Sequence, residues 1–148
     1  MSNWTIITKD DLKATGYGLV IDKAQTVSTG SVDPAAEEIA NAVYEVRQSV
    51  AVGNAVDASP DKVPNSLKGL TSRMAVYGLM RRIRYSLSED DRIQKAADGK
   101  RLIRIADKPE RVEPPDDAIA DGTAIQAQPS PKIAPRTRNF TERSMDGI

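Results

Sequence analysis

Lys68, Arg73, Arg81, Arg82 and Arg84 are the strongest local basic feature of this 148-residue sequence. Cations gathered in this way can contact nucleic-acid phosphates, which gives salt-dependent affinity without sequence reading. They can also meet acidic groups on another subunit, or simply keep a helix face solvated. No recognition-helix motif or zinc pattern accompanies them, and aromatic residues do not interleave in a stacking pattern. A solvated or subunit-pairing role therefore fits the cluster better than direct DNA contact.

The remaining chemical inventory is thin. The chain has no histidine and no cysteine. That removes the commonest general base, the commonest metal ligand, and any disulfide or thiolate site. Asp90-Asp91 and Asp116-Asp117 are adjacent acidic pairs, but helix neighbours diverge by about 100°. They read as capping and solubility residues rather than as a metal or acid–base pair. Serines 28, 49, 66, 72, 86, 88, 130 and 144 lack both an activating histidine and a GxSxG context. Gly30 and Gly53 match no phosphate-loop spacing. We therefore expect no catalytic residue, cofactor or metal, and no enzymatic activity.

The element that must carry the basic cluster is the stretch 59–87, the longest that reads as helix, with Pro64 suited to its first turn. Leu67, Leu70, Met74 and Tyr77 form one apolar stripe, and Val76, Met80, Ile83 and Leu87 form a second. The stripes differ in bearing by roughly 130°, so the helix buries different faces along its length. Gly69 and Gly78 each cost roughly 1 kcal/mol against alanine, a cost offset if another backbone approaches closely. Either this helix is central in a small bundle, or one of its faces meets a neighbouring subunit.

Around it, Trp4-Thr5-Ile6-Ile7 is β-prone without a nearby partner strand. Thr8 and Asp11 form a capping-box start for a short helix over 9–14, stopped by Gly16 and Gly18. Leu19-Val20-Ile21 reads as strand or buried loop, and 22–32 as loop. Asp33-Pro34 opens a clear helix whose stripe is Ile39, Val43, Val46 and Val50, with Glu38, Glu45 and Gln48 off it. Gly53-Asn54 ends it, and an antiparallel pairing with the central helix is the simplest topology. Ser88 to Asp91 is a second capping box, Gly99 a place to end or kink, and Asp107-Lys108-Pro109 a firm stop.

The fold class expected is mainly α: a helical bundle of three to four helices over 1–106, followed by an extended arm over 107–148. Six of the nine prolines lie in the arm. Asp121-Gly122 is a turn signal there, with Val112 and Ile125 as flanks of a short hairpin. Such a segment buries too little to offset its ordering entropy alone. The arm's sizeable apolar residues after 125 are Ile133, Phe140, Met145 and Ile148, and Arg136, Arg138 and Arg143 stand among them. Phe140 is the best anchor, because aromatics bury the most area. Net charge is zero, but it is laid out in blocks. Residues 1–67 are acidic, 68–104 basic, 107–121 acidic and 129–148 basic, a layout that suits pairing with copies of the same chain. No apolar run approaches the roughly 18 residues of a membrane span, and no signal-peptide pattern opens the chain, so a soluble protein made in a cytoplasm is expected.

Several of these features occur in one order: the Thr8-x-x-Asp11-Leu12 helix start, then the Asp33-Pro34 helix reading Ile39-Ala-Asn-Ala-Val-Tyr-Glu-Val-Arg47. Next come the Val63-Pro64-Asn65-Ser66-Leu67 loop, an Arg-rich helix, and the Ala96-Ala97-Asp98-Gly99 helix running into Ile105-Ala106 and a proline-rich tail closing on Phe140 to Ile148. Over nearly the whole chain this order resembles the head–tail connector (adaptor, or head-completion) proteins of tailed bacteriophages. The resemblance implies a virion protein of the neck, made in the host cytoplasm, forming a ring of identical copies on the portal protein. DNA would pass through that ring without sequence-specific binding, and a neck or tail-completion protein would follow. The arm would dock on the portal or on a neighbouring subunit. The alternative is a small DNA-binding or regulatory protein using Arg81 to Arg84, and a third is a folding or scaffolding factor.

Overall fold

Trp4, Thr5 and Ile6 have a partner strand far along the chain. In the computed structural model, which describes residues 1–108 and 110–118, strand β1 (Trp4–Ile6) pairs antiparallel with β2 (Lys62–Pro64). Trp4 faces Pro64, Thr5 faces Val63 and Ile6 faces Lys62. The sequence hid this pairing because β2 is three residues long and closes on a proline, which cannot donate to a ladder. Pro64 therefore does not open the central helix as expected. It ends β2 and leads into a 3-10 turn over Asn65–Leu67.

Five α-helices follow from local signals of unequal strength. Helix α1 (Lys9–Lys13) opens on the reciprocal Thr8–Asp11 capping box. Helix α2 (Gly18–Val27) replaces the expected strand or loop at 19–21 and takes up half of the expected loop after it. Its start has no side-chain cap, and three apolar residues in a row imitate a strand. Yet Val20, Ile21 and Ala24 are the buried set, a helical spacing. Helix α3 (Pro34–Ala51) starts where Asp33 accepts a hydrogen bond from the Ala35 N–H at 3.1 Å. Val43, Val46 and Val50 are buried as the stripe requires, and Ile39 is half-buried.

The central helix is α4 (Lys68–Arg82), shorter than expected at both ends. Its C-terminus is closed by a two-bond motif: the Tyr85 N–H donates to the Met80 carbonyl at 2.8 Å and the Arg84 N–H to that of Arg81 at 3.2 Å. Arg84 occupies the left-handed position of this motif, with φ of 53°, where glycine is usual. Leu87 thus falls outside the helix. Helix α5 (Glu89–Asp107) opens on the Ser88–Asp91 capping box and runs without interruption through Gly99. Gly99 neither ends nor kinks it, and an added Cβ would meet nothing within 4 Å.

Helix α4 packs most extensively on α3 and also touches α1, α2 and α5. Glu37 and Glu38 at the start of α3 meet Arg82 at the end of α4, so the pair is antiparallel. Leu70, Ala75, Val76, Tyr77, Leu79 and Met80 are all buried. The two bearings of this helix are therefore satisfied inside the chain and need no neighbouring subunit. Trp4, Leu12, Val63, Leu67 and Ile105 complete the same core. Residues 110–118 return along the body: Val112 packs against the core and Ala118 forms a bridge with Asp57. The second flank of the expected hairpin, Ile125, and the arm residues from Ile133 to Ile148 lie outside the described residues.

Candidate functional site

The five basic residues do not form one surface. Lys68 Nζ meets Asp11 at 2.8 Å. Arg73 lays its guanidinium fork on Asp98, with Nε and Nη2 each at 2.8 Å. Arg82 bridges Glu38 and Glu37, the latter at 2.6 Å. Hydrogen bonds to these carboxylates raise the Arg73 and Arg82 pKa values above the ordinary one. Among the described residues, Arg81 and Arg84 are exposed and have no ion pair. Three of the five cations are thus committed to holding helices together.

Glu38 was expected off the α3 stripe and is instead 5% exposed. Its carboxylate rests over Gly78, where a Cβ would overlap it outright. Close approach explains Gly78, but the approaching group is a side chain and not a backbone. Gly69 has no such neighbour; the nearest atom to an added Cβ is the tip of Arg73 at 3.5 Å.

Beside these ion pairs lie a groove and an exposed helix face. The groove, of about 390 Å³, lies between α3, α4 and α5, with Met74, Ala42 and Leu102 in its wall and Arg81, Lys95 and Glu45 at its edges. Lys95 Nζ lies 6.0 Å from the centre of the Tyr77 ring. Glu38 and Asp98 also line the groove, which is therefore of mixed charge. It offers no nucleophile–base pair, and among the described residues no group of three or more acidic side chains is placed to hold a metal ion. The other surface is the outer face of α5. Ile93 and Ile103 are 61% and 60% exposed, and Ala96, Ala97 and Lys100 lie exposed between them. At about 100° per residue, Arg104 stands among these residues and Arg92 borders them, whereas Lys95 faces the groove side.

A third constellation gave little sign of itself in the sequence. Arg47 on α3 donates to the carbonyls of Asp57, Ser59 and Lys62 at 2.7 to 2.9 Å and lies 5.5 Å from the Trp4 ring centre. Burial lowers its pKa, which the nearby Asp57 and Asp61 charges oppose. Asp57 is fully buried. Burial alone would raise its pKa, but N–H donors from Ser59, Asp117 and Asp116 and the charge of Lys62 together hold it below the carboxylate range. The available signal was Arg47 itself, a cation four residues after Val43 on the apolar stripe. Nothing near Asp57 in sequence marks it.

No protein-family model matches this chain, and no curated protein or solved structure shows significant similarity to it.

Proposed function

We propose that this chain is a structural virion protein, a head–tail connector that assembles as a ring of identical copies beneath the portal. DNA passes through the ring, and a neck or tail-completion protein follows it. The observation that carries the reading is the outer face of α5. Ile93 and Ile103, with Ala96 and Ala97 between them, give α5 an uncovered, partly apolar outer face in which Lys100 and Arg104 are interspersed. A face that mixes apolar side chains with cations suits contact with an acidic, partly apolar surface of another copy. Within 1–67, Asp11, Asp33, Glu37 and Glu38 are already paired inside the chain. Asp10, Asp22, Glu45 and Asp61 are the exposed acids left, among the described residues of that stretch, to meet cations of the next copy. The order of motifs along the chain supports the connector reading beyond simple self-association.

The alternative, DNA binding through Arg81 to Arg84, is weakened by the pairing of Arg82 with Glu37 and Glu38. A cation already neutralised releases fewer counterions on meeting phosphate.

Sedimentation velocity across a concentration series tests the self-association. The wild-type chain is expected to form a discrete multi-subunit species. The Ile93→Asp/Ile103→Asp double variant should remain a monomer with unchanged helical circular dichroism. A wild type and variant that sediment alike at every concentration contradict assembly through α5.

A further inference from the structure

Residues 110–118 lie on the body as a strap, and polar groups meeting backbone make most of the bonds that hold it. Asp116 accepts from the N–H groups of Asn3 at 2.8 Å and Trp4 at 3.3 Å, and from the Ser2 hydroxyl. Lys62 Nζ stands 4.0 Å from the same carboxylate. Glu113 accepts from the N–H of Ser66 at 3.0 Å and its hydroxyl at 2.7 Å, while its carbonyl accepts from Trp4 Nε1 at 3.0 Å. From the body, Asp57 accepts the N–H groups of Asp116 and Asp117 at 3.0 and 3.2 Å, and the Ala58 N–H donates to the Asp117 carbonyl at 2.7 Å.

This pattern is that of a peptide held by a receptor. Two carboxylates three residues apart each find a ready set of donors. Pro114 and Pro115 between them favour an extended chain and lessen the entropy lost on docking. The body supplies three backbone N–H groups and two hydroxyls for the acidic side chains, an indole N–H for the Glu113 carbonyl, and one buried carboxylate for the peptide's own N–H groups. Side-chain pockets matter little, since Val112 is the strap's apolar residue packed on the core. Contacts of this kind, poor in apolar burial, belong to the low-stability end of a structure and open without global unfolding.

We propose that the end of the β1–β2 sheet is a binding site for an extended acidic peptide of the form Glu-Pro-Pro-Asp. In this structure the chain's own residues 113–116 fill it, and a partner segment of the same chemistry can exchange with them. The site is independent of the ring reading and stands or falls separately from it.

The test uses Trp4, the only tryptophan of the chain, which is 1% exposed beneath the strap. In the full-length Glu113→Ala/Asp116→Ala variant, acrylamide quenching of Trp4 is expected to rise roughly twofold while helical circular dichroism is kept. A blocked synthetic peptide covering residues 110–118 should then return quenching to the wild-type level in a saturable way. The same peptide with alanine at both acidic positions should fail to do so. If the double variant loses its helices, Pro114→Gly/Pro115→Gly loosens the strap without touching the body and takes its place. Unchanged quenching in a folded variant overturns the proposal. So does a peptide that gives no protection, or equal protection by the alanine peptide.

Discussion

Arg84 is the residue whose backbone is least suited to its place. It sits at φ 53° in the motif that closes α4, a conformation that costs an L-residue about 1 kcal/mol and costs glycine almost nothing. With its side chain exposed and without an ion pair among the described residues, Arg84→Gly should raise stability by up to about 1 kcal/mol. An unchanged or lower melting temperature would show that the guanidinium makes a contact worth more than the strain. Asp57 gives the opposite case, a side chain whose charge is needed. Its folded pKa lies below the ordinary 3.8, so its contribution is complete above that value and is lost as pH falls through the folded one. Strap release reported by Trp4 should therefore begin only below about pH 4. Asp57→Asn should release it at neutral pH, because an amide cannot accept from all three N–H donors. A variant with wild-type Trp4 quenching at pH 7 would contradict this. Neither residue could be read from the sequence. A left-handed arginine has no local signature, and Asp57 acquires its role from Asp116 and Asp117, about 60 positions away.

The helices that announced themselves did so through caps and stripes. Thr8–Asp11, Asp33-Pro34 and Ser88–Asp91 all stand at the starts of α1, α3 and α5, because these side chains satisfy N–H groups that no other part of a helix can reach. Helix α2 was missed because it starts without such a cap, and β2 because its identity depends on β1 nearly sixty residues earlier. The α3 stripe makes a direct prediction. Val43 is buried between the α4 side and the small cleft near Ile6 and Ile39, so Val43→Asp places a carboxylate there without a partner. We expect a loss on the order of 3 kcal/mol in denaturant unfolding. A midpoint close to wild type would mean that this face is solvated.

On the scale of the whole molecule, a mainly helical body was legible from periodicity, proline placement and cap residues. The basic cluster was not legible as a site, because sequence proximity cannot tell a solvated arginine from one paired across helices, as Arg73 is with Asp98 and Arg82 with Glu38. On the connector proposal, the α5 face would meet neighbouring copies and the chain after residue 118 would dock on the portal. Truncation after Ala118 keeps the strap over Trp4 and should leave the melting temperature unchanged while abolishing portal docking. Phe140→Ala should weaken docking by more than about 1 kcal/mol. Docking by the truncated chain at wild-type affinity would remove the arm from the account. If the connector proposal holds, a tailed phage encodes this chain, and the most direct measurement is quantitative mass spectrometry of its purified virions, before and after DNA release and separation of the portal vertex. The connector reading predicts several copies per particle, in fixed ratio to the portal protein and fractionating with it. Particles that contain the portal protein but not this chain would contradict it.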